Sequence, residues 1–190
     1  MNKRVLSALS IAAVLTLSAC GGNQDDAGPQ EENDKNQQTE MDHSNMDHSS
    51  SGEIPDGLMD AENPTYPVDS KALIKDGHMA GMKGAEATIV GAYDTVAYIV
   101  SYTPEDGGER VENHKWIIHE EFPDAGEEPL QPGTEIETDA DHMSGMDGAA
   151  VEIVSGEETT VYMIDYTPTD GSEKVENHKW VTEEELEAIE

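Results

Sequence analysis

Residues 76–122 can be laid without a gap over residues 140–186, at an offset of 64 residues. His78-Met79-x-Gly81-Met82-x-Gly84-Ala85 recurs as His142-Met143-x-Gly145-Met146-x-Gly148-Ala149, and Tyr102-Thr103-Pro104-x-Asp106-Gly107 recurs as Tyr166-Thr167-Pro168-x-Asp170-Gly171. The run Val111-Glu112-Asn113-His114-Lys115-Trp116 returns unchanged as Val175-Glu176-Asn177-His178-Lys179-Trp180. About half of the aligned positions are identical, which only a duplication explains. Two units are too few for a solenoid, so the chain is expected to contain two small copies of one module. The first spans 66–122 and the second 134–190, joined by a Pro-, Gly- and Glu-rich linker, 123–133.

Each copy reads as β structure. Residues 96–102 and 160–166 are rich in β-branched and aromatic side chains and are followed by Thr-Pro-x-Asp-Gly, which is hairpin-turn chemistry. Tyr98, Val100 and Tyr102 alternate along one face, as do Tyr162, Ile164 and Tyr166, which marks that face as buried. The opposite face, with Ser101 in one copy and Asp165 in the other, is expected to be wetter. Earlier strands are predicted over 87–91 and 151–155, with another before each His-Met turn and a last turn of helix over 183–189. Four or five strands in so short a unit have to curl to cover a core. The expected fold class is therefore all-β: two tandem small SH3-like barrel domains behind a disordered acidic tether.

The N-terminal part is of another kind. Lys3 and Arg4 precede an apolar run over 5–17, and Leu17-Ser18-Ala19-Cys20 closes it, the order of an export signal over residues 1–19. The ending resembles a lipobox, which implies a lipid (palmitate-type) anchor on Cys20 and a place on the outer face of the cell membrane. Cys20 is the only cysteine, so disulfides and cysteine metal sites are excluded. Residues 20–57 are nearly free of aliphatic side chains and read as a disordered acidic tether. The formal charge of -32 becomes -34 once Lys3 and Arg4 leave with the signal, which argues against nucleic acid as a partner.

Two places carry chemistry. The tether holds Met41-Asp42-His43 and Met46-Asp47-His48, one unit written twice. Methionine has no core to fill there, and thioether sulfur with imidazole nitrogen is the ligand set of Cu(I). Composition drift is the competing reading. In the repeats, His78, Met79 and Met82, and His142, Met143 and Met146, offer the same set within one turn, although Met79 and Met82 would also serve as core plugs. His114 and His178, beside Trp116 and Trp180, are expected to be structural, and His119 has no shared chemical role because the other copy has Glu183. No Gly-x-Ser-x-Gly, His-Glu-x-x-His or phosphate loop is present, and an enzyme is not expected.

With its lipobox-like start, acidic tether and paired His-Met, Tyr-Thr-Pro and Glu-Asn-His-Lys-Trp motifs, the chain resembles the YdhK family of lipoproteins, found in bacilli and relatives, which carry a tandem domain of unknown function. The resemblance covers both repeats. It implies a small β-barrel-like domain and an extracytoplasmic place, and some members look associated with copper handling. Two functions follow as expectations: a surface lipoprotein that binds soft metal ions, copper foremost, or a tandem adaptor that docks an envelope peptide, polysaccharide or protein through exposed Tyr and Trp side chains.

Overall fold

The structure, a computed structural model, describes residues 49–189. The signal segment, Cys20 and the tether residues Met41, His43, Met46 and His48 lie outside the described residues. The elements run β1 (Met59–Asp60), β2 (Lys71–Ile74), β3 (Glu86–Tyr102), β4 (Val111–Ile118), a 3-10 turn (His119–Glu121), β5 (Glu135–Glu137), β6 (Ala150–Tyr166), β7 (Val175–Thr182), a second 3-10 turn (Glu183–Glu185) and β8 (Leu186–Ala188). The chain is all-β among the described residues, as the alternation along 98–102 and 162–166 requires.

The expected pairs of short strands over 87–91 with 96–102, and 151–155 with 160–166, are each one continuous strand of 17 residues. Gly91 and Gly156 are not breaks. A Cβ at Gly91 would stand 2.4 Å from the Tyr93 hydroxyl, and one at Gly156 would stand 2.7 Å from the Tyr98 ring. Both glycines therefore admit a neighbouring tyrosine against a straight backbone.

β3 and β6 pair antiparallel along their whole length, from Ala87 opposite Tyr166 to Tyr102 opposite Val151. Those two end pairs are the same pair read from the two repeats. Thr95 faces Thr159, its own counterpart at the 64-residue offset, so a pseudo-twofold axis passes there. β5 joins β6 as β2 joins β3, with Glu137 opposite Ala150 repeating Leu73 opposite Glu86. β4 completes β3 and β7 completes β6, each with bulges that bend the hairpin.

This pairing exchanges halves between the repeats. One core joins Ile74, Met82 and Ile89 of the first repeat to Tyr162, Ile164, Val181 and Leu186 of the second. Another joins Tyr98, Val100, Tyr102 and Ile117 of the first to Met146, Val151 and Ile153 of the second. A third cluster at the axis holds Tyr93, Trp116, Ile118, Val161, Met163 and Trp180. The strands form one eight-stranded sheet rather than two barrels each closed within its own repeat. The helix expected over 183–189 is a 3-10 turn followed by β8, which pairs with β2 of the first repeat. Ser101 is buried, where the outer face was expected to be wet. It accepts the Asn113 N–H at 3.2 Å, as Asp165 accepts that of Asn177 at 2.8 Å.

A fragment of residues 134–190 keeps only half of each core. It is expected not to fold as a monomer, and to gain structure only as a dimer in which two copies restore the exchange. Circular dichroism with analytical ultracentrifugation checks this: a cooperatively melting monomer would contradict the exchanged architecture.

Candidate functional site

The exchange brings matching residues of the two repeats to one place. His78 and Met79 lie in the turn between β2 and β3, and His142 and Met143 in the turn between β5 and β6. Each turn is tied by Met82 N–H to Met79 C=O at 3.4 Å and Gly84 N–H to Ile74 C=O at 2.8 Å, or by Met146 N–H to Met143 C=O at 3.1 Å and Gly148 N–H to Thr138 C=O at 2.9 Å. Gly84 and Gly148 have φ of 82° and 78°, a conformation that disfavours any residue with a Cβ. The turn of one repeat is held by the hairpin of the other. Thr169 N–H donates to Gly81 C=O and Glu105 N–H to Gly145 C=O, both at 2.9 Å. The His-Met and Thr-Pro-x-Asp-Gly motifs thus recur together because each repeat grips the other's turn.

His78, Met79, His142 and Met143 line one small cleft, together with His114 from β4 and His178 from β7. The rings associate across the repeats: His78 stacks on His178 at a centroid distance of 5.6 Å, and His142 lies 6.4 Å from His114. Edge contacts with Tyr166 and Tyr102, at 5.7 and 5.9 Å, brace His178 and His114. Lys115, Lys179 and Asp141 complete the charged part of the wall.

Two buried carboxylates stand behind the cleft. Glu121, at the end of the first repeat, accepts from Trp180 Nε1 at 3.1 Å and from the Ile118 N–H at 3.0 Å, and pairs with His142 Nε2 at 2.6 Å. Glu185, at the end of the second, accepts from Trp116 Nε1 at 2.7 Å and from the Thr182 N–H at 3.0 Å, and pairs with His78 Nδ1 at 3.1 Å. Burial alone would raise both carboxyl pKa values. The neighbouring imidazoles and the converging N–H donors outweigh it and hold both below the ordinary carboxylate range. His142 Nδ1 is buried with no hydrogen-bond partner, on the ring whose other nitrogen meets Glu121. Among the described residues, no three His, Cys, Asp or Glu side chains are grouped to hold a metal ion by themselves.

Two stretches, 68–119 and 132–183, match the family described as "Protein of unknown function (DUF1541)". Over 188 residues the chain is 53% identical to the uncharacterized protein YdhK of Bacillus subtilis (strain 168), covering 99% of this chain and 90% of that protein. The chain belongs to the DUF1541 family. A crystal structure of the B. subtilis DUF1541 protein YdhK is similar at TM-score 0.74 and 59% identity, covering 77% of this chain and all of that one. A solution structure of the YdhK C-terminal domain is similar at TM-score 0.62 and 61% identity, covering 64% and 92%.

Within this DUF1541 fold the residues singled out in the sequence separate. His78, Met79, His142 and Met143 meet in the cleft, whereas Met82 and Met146 are fully buried and fill the two cores. His114 and His178 are braced by aromatic rings as structural residues would be, yet they also form the cleft wall. His119 bonds the Tyr98 hydroxyl at 3.0 Å and Glu183 accepts that of Tyr162 at 3.1 Å, one structural task performed by two residue types. Glu121 and Glu185 were missed. Their signal was present, since Glu120-Glu121 recurs as Glu184-Glu185 just after the repeats diverge over 117–119, but they looked like more surface acids in a chain with 42.

Glu121→Ala would leave an indole N–H, a backbone N–H and an imidazole nitrogen without their acceptor. The expected cost is about 3–5 kcal/mol, with a similar loss for Glu185→Ala. Urea denaturation followed by Trp fluorescence measures it, and a change below about 1 kcal/mol would mean that these carboxylates do not hold the repeats together.

Proposed function

We propose that this DUF1541 protein is a lipid-anchored, extracytoplasmic binder of a soft metal ion, Cu(I) foremost, and that the cleft between the two His-Met turns is its site. The observation that carries this reading is His142. One ring nitrogen meets a buried carboxylate while the other is buried without a partner beside a methionine. A ligating histidine is commonly oriented in that way by an acid on its far nitrogen, and a buried nitrogen left unpaired is costly unless something fills the position.

The donor set narrows the ion. With no ready trio of imidazole and carboxylate groups among the described residues, nitrogen and oxygen alone do not make a site for zinc. Imidazole with the thioethers of Met79 and Met143 suits a soft monovalent ion. The lipobox-like Cys20 supports a place on the extracytoplasmic face of the cell membrane, where the protein would meet such ions before the cytoplasm does. The adaptor reading has less support, because Trp116, Trp180 and five of the tyrosines, Tyr93, Tyr98, Tyr102, Tyr162 and Tyr166, are buried and leave no aromatic docking face.

The soluble chain from Gly21 onward is expected to hold Cu(I) against a chromogenic Cu(I) chelator. The double substitution Met79→Leu with Met143→Leu keeps size and apolarity while removing sulfur, and should weaken retention at least about tenfold. Met82→Leu with Met146→Leu, confined to the cores, should leave it unchanged. Negligible Cu(I) retention by the unsubstituted protein would overturn the proposal.

A further inference from the structure

β4 and β7 carry the same hexapeptide, Val-Glu-Asn-His-Lys-Trp, on matching backbone. Asn113 and Asn177 have φ of 55° and 53°. In both strands a bulge takes the Glu-Asn pair out of register with the long strand, between Val111 and His114 in one and Val175 and His178 in the other. The two strands differ in what lies along their outer edges. Residues 49–53 run beside β7: Ser50 N–H donates to Glu176 C=O at 3.0 Å, and the Ser50 hydroxyl donates to Asn177 C=O at 2.7 Å. The Glu176 N–H donates to the Ser49 hydroxyl at 3.0 Å, Asn177 Nδ2 donates to Ser50 C=O at 3.3 Å, and Lys179 Nζ donates to Glu53 C=O. Gly52, at φ 78°, passes so close that a Cβ there would stand 3.1 Å from the Asn177 side chain. Among the described strands β4 pairs with β3 alone, and Asn113 is exposed where Asn177 is half-buried.

We propose that the outer edge of β4, at Glu112, Asn113 and Lys115, is a binding site for an extended serine- and glycine-rich peptide of another protein. β7 displays what this hexapeptide holds along its edge. The segment there is fixed by the main-chain N–H and C=O of the Glu, the C=O and side-chain amide of the Asn, and the Lys ammonium. β4 carries every one of these groups. An edge strand whose main-chain groups lie out of register with its neighbour accepts an added strand in this way, main-chain bonds giving affinity and small pockets giving selectivity. The selectivity is for small residues, because serine hydroxyls make two of the bonds and glycine takes the positive φ beside the Asn amide. The occupant comes from outside the chain. Residues 49–53 fill one seat, and moving them from β7 of one copy to β4 of another would exchange like bonds for like while giving up the advantage of an intramolecular contact. The proposal stands apart from the metal reading, since none of its groups is a ligand there.

The test is an NMR titration of the isotope-labelled soluble chain from Gly21 with the synthetic peptide acetyl-Ser-Ser-Ser-Gly-Glu-amide, the sequence of residues 49–53. At millimolar peptide the amide signals of Glu112, Asn113 and Lys115 should shift saturably, while those of Glu176, Asn177 and Lys179 stay in place. A peptide N-methylated at its second serine lacks the N–H that meets Glu176 in the occupied seat, and should bind at least about tenfold more weakly. A peptide with valine in place of its glycine should lose binding to a similar degree, through the positive φ. Asn113→Gly keeps that backbone conformation and removes only the side-chain amide, so it should weaken binding about threefold or more. Absence of any saturable shift at Glu112 and Asn113 would overturn the proposal. So would shifts confined to β7, where the peptide merely displaces the chain's own segment, or equal binding by the N-methylated peptide, which would rule out strand addition. Concentration-dependent shifts at Glu112 and Asn113 without peptide, with a dimer in analytical ultracentrifugation, would assign the edge to a second copy and overturn the choice of partner.

Discussion

The antiparallel pairing of β3 with β6 is the constraint on which the rest of the molecule depends. A strand of 17 residues is roughly 55 Å long, several times what one small core can cover. Its two ends must therefore be buried in different places. Pairing it with its own duplicate about the Thr95–Thr159 axis resolves this, because the first half of each repeat is covered by the second half of the other. Neither repeat then possesses a core of its own. The long-range contacts that hold the fold are contacts between copies, and the buried keys Glu121 and Glu185 sit where those copies meet.

The candidate site is a product of the same exchange. In sequence, the His-Met turns stand 64 residues apart. The twofold arrangement turns both toward one cleft and sets each turn's histidine beside a histidine of the partner repeat's Asn-His-Lys-Trp strand, His78 with His178 and His142 with His114. A donor set that a single repeat lacks is assembled by doubling it. The carboxylates behind the histidines serve two ends at once, satisfying the Trp N–H groups that lock the repeats together and orienting the rings that face the cleft. Stability and site geometry are thus coupled through the same two residues.

Much of this was legible before any coordinates. The all-β class followed from the alternation of Tyr98, Val100 and Tyr102 and of their counterparts, and the Gly-rich turns followed from the spacing of Gly81, Gly84, Gly145 and Gly148. The exchange did not follow, because a duplication specifies that two units are alike and is silent on whether they fold side by side or through one another. The continuous strands were hidden by Gly91, which has the signature of a break but serves the close approach of Tyr93. The site was half legible. His78, Met79, His142 and Met143 stood out by composition, while Met82 and Met146 shared that composition and turned out to be core. Only packing distinguishes a methionine that fills a core from one that lines a cleft.

The central claim is that two intertwined repeats form one soft-metal site, and the coordination shell of the bound ion tests it most directly. X-ray absorption spectroscopy of the Cu(I)-loaded soluble chain should show a mixed shell of imidazole nitrogen and thioether sulfur, with the sulfur component clearly diminished when Met79 and Met143 are replaced by leucine. A shell of nitrogen and oxygen alone, or a sulfur component that survives that replacement unchanged, would contradict the account.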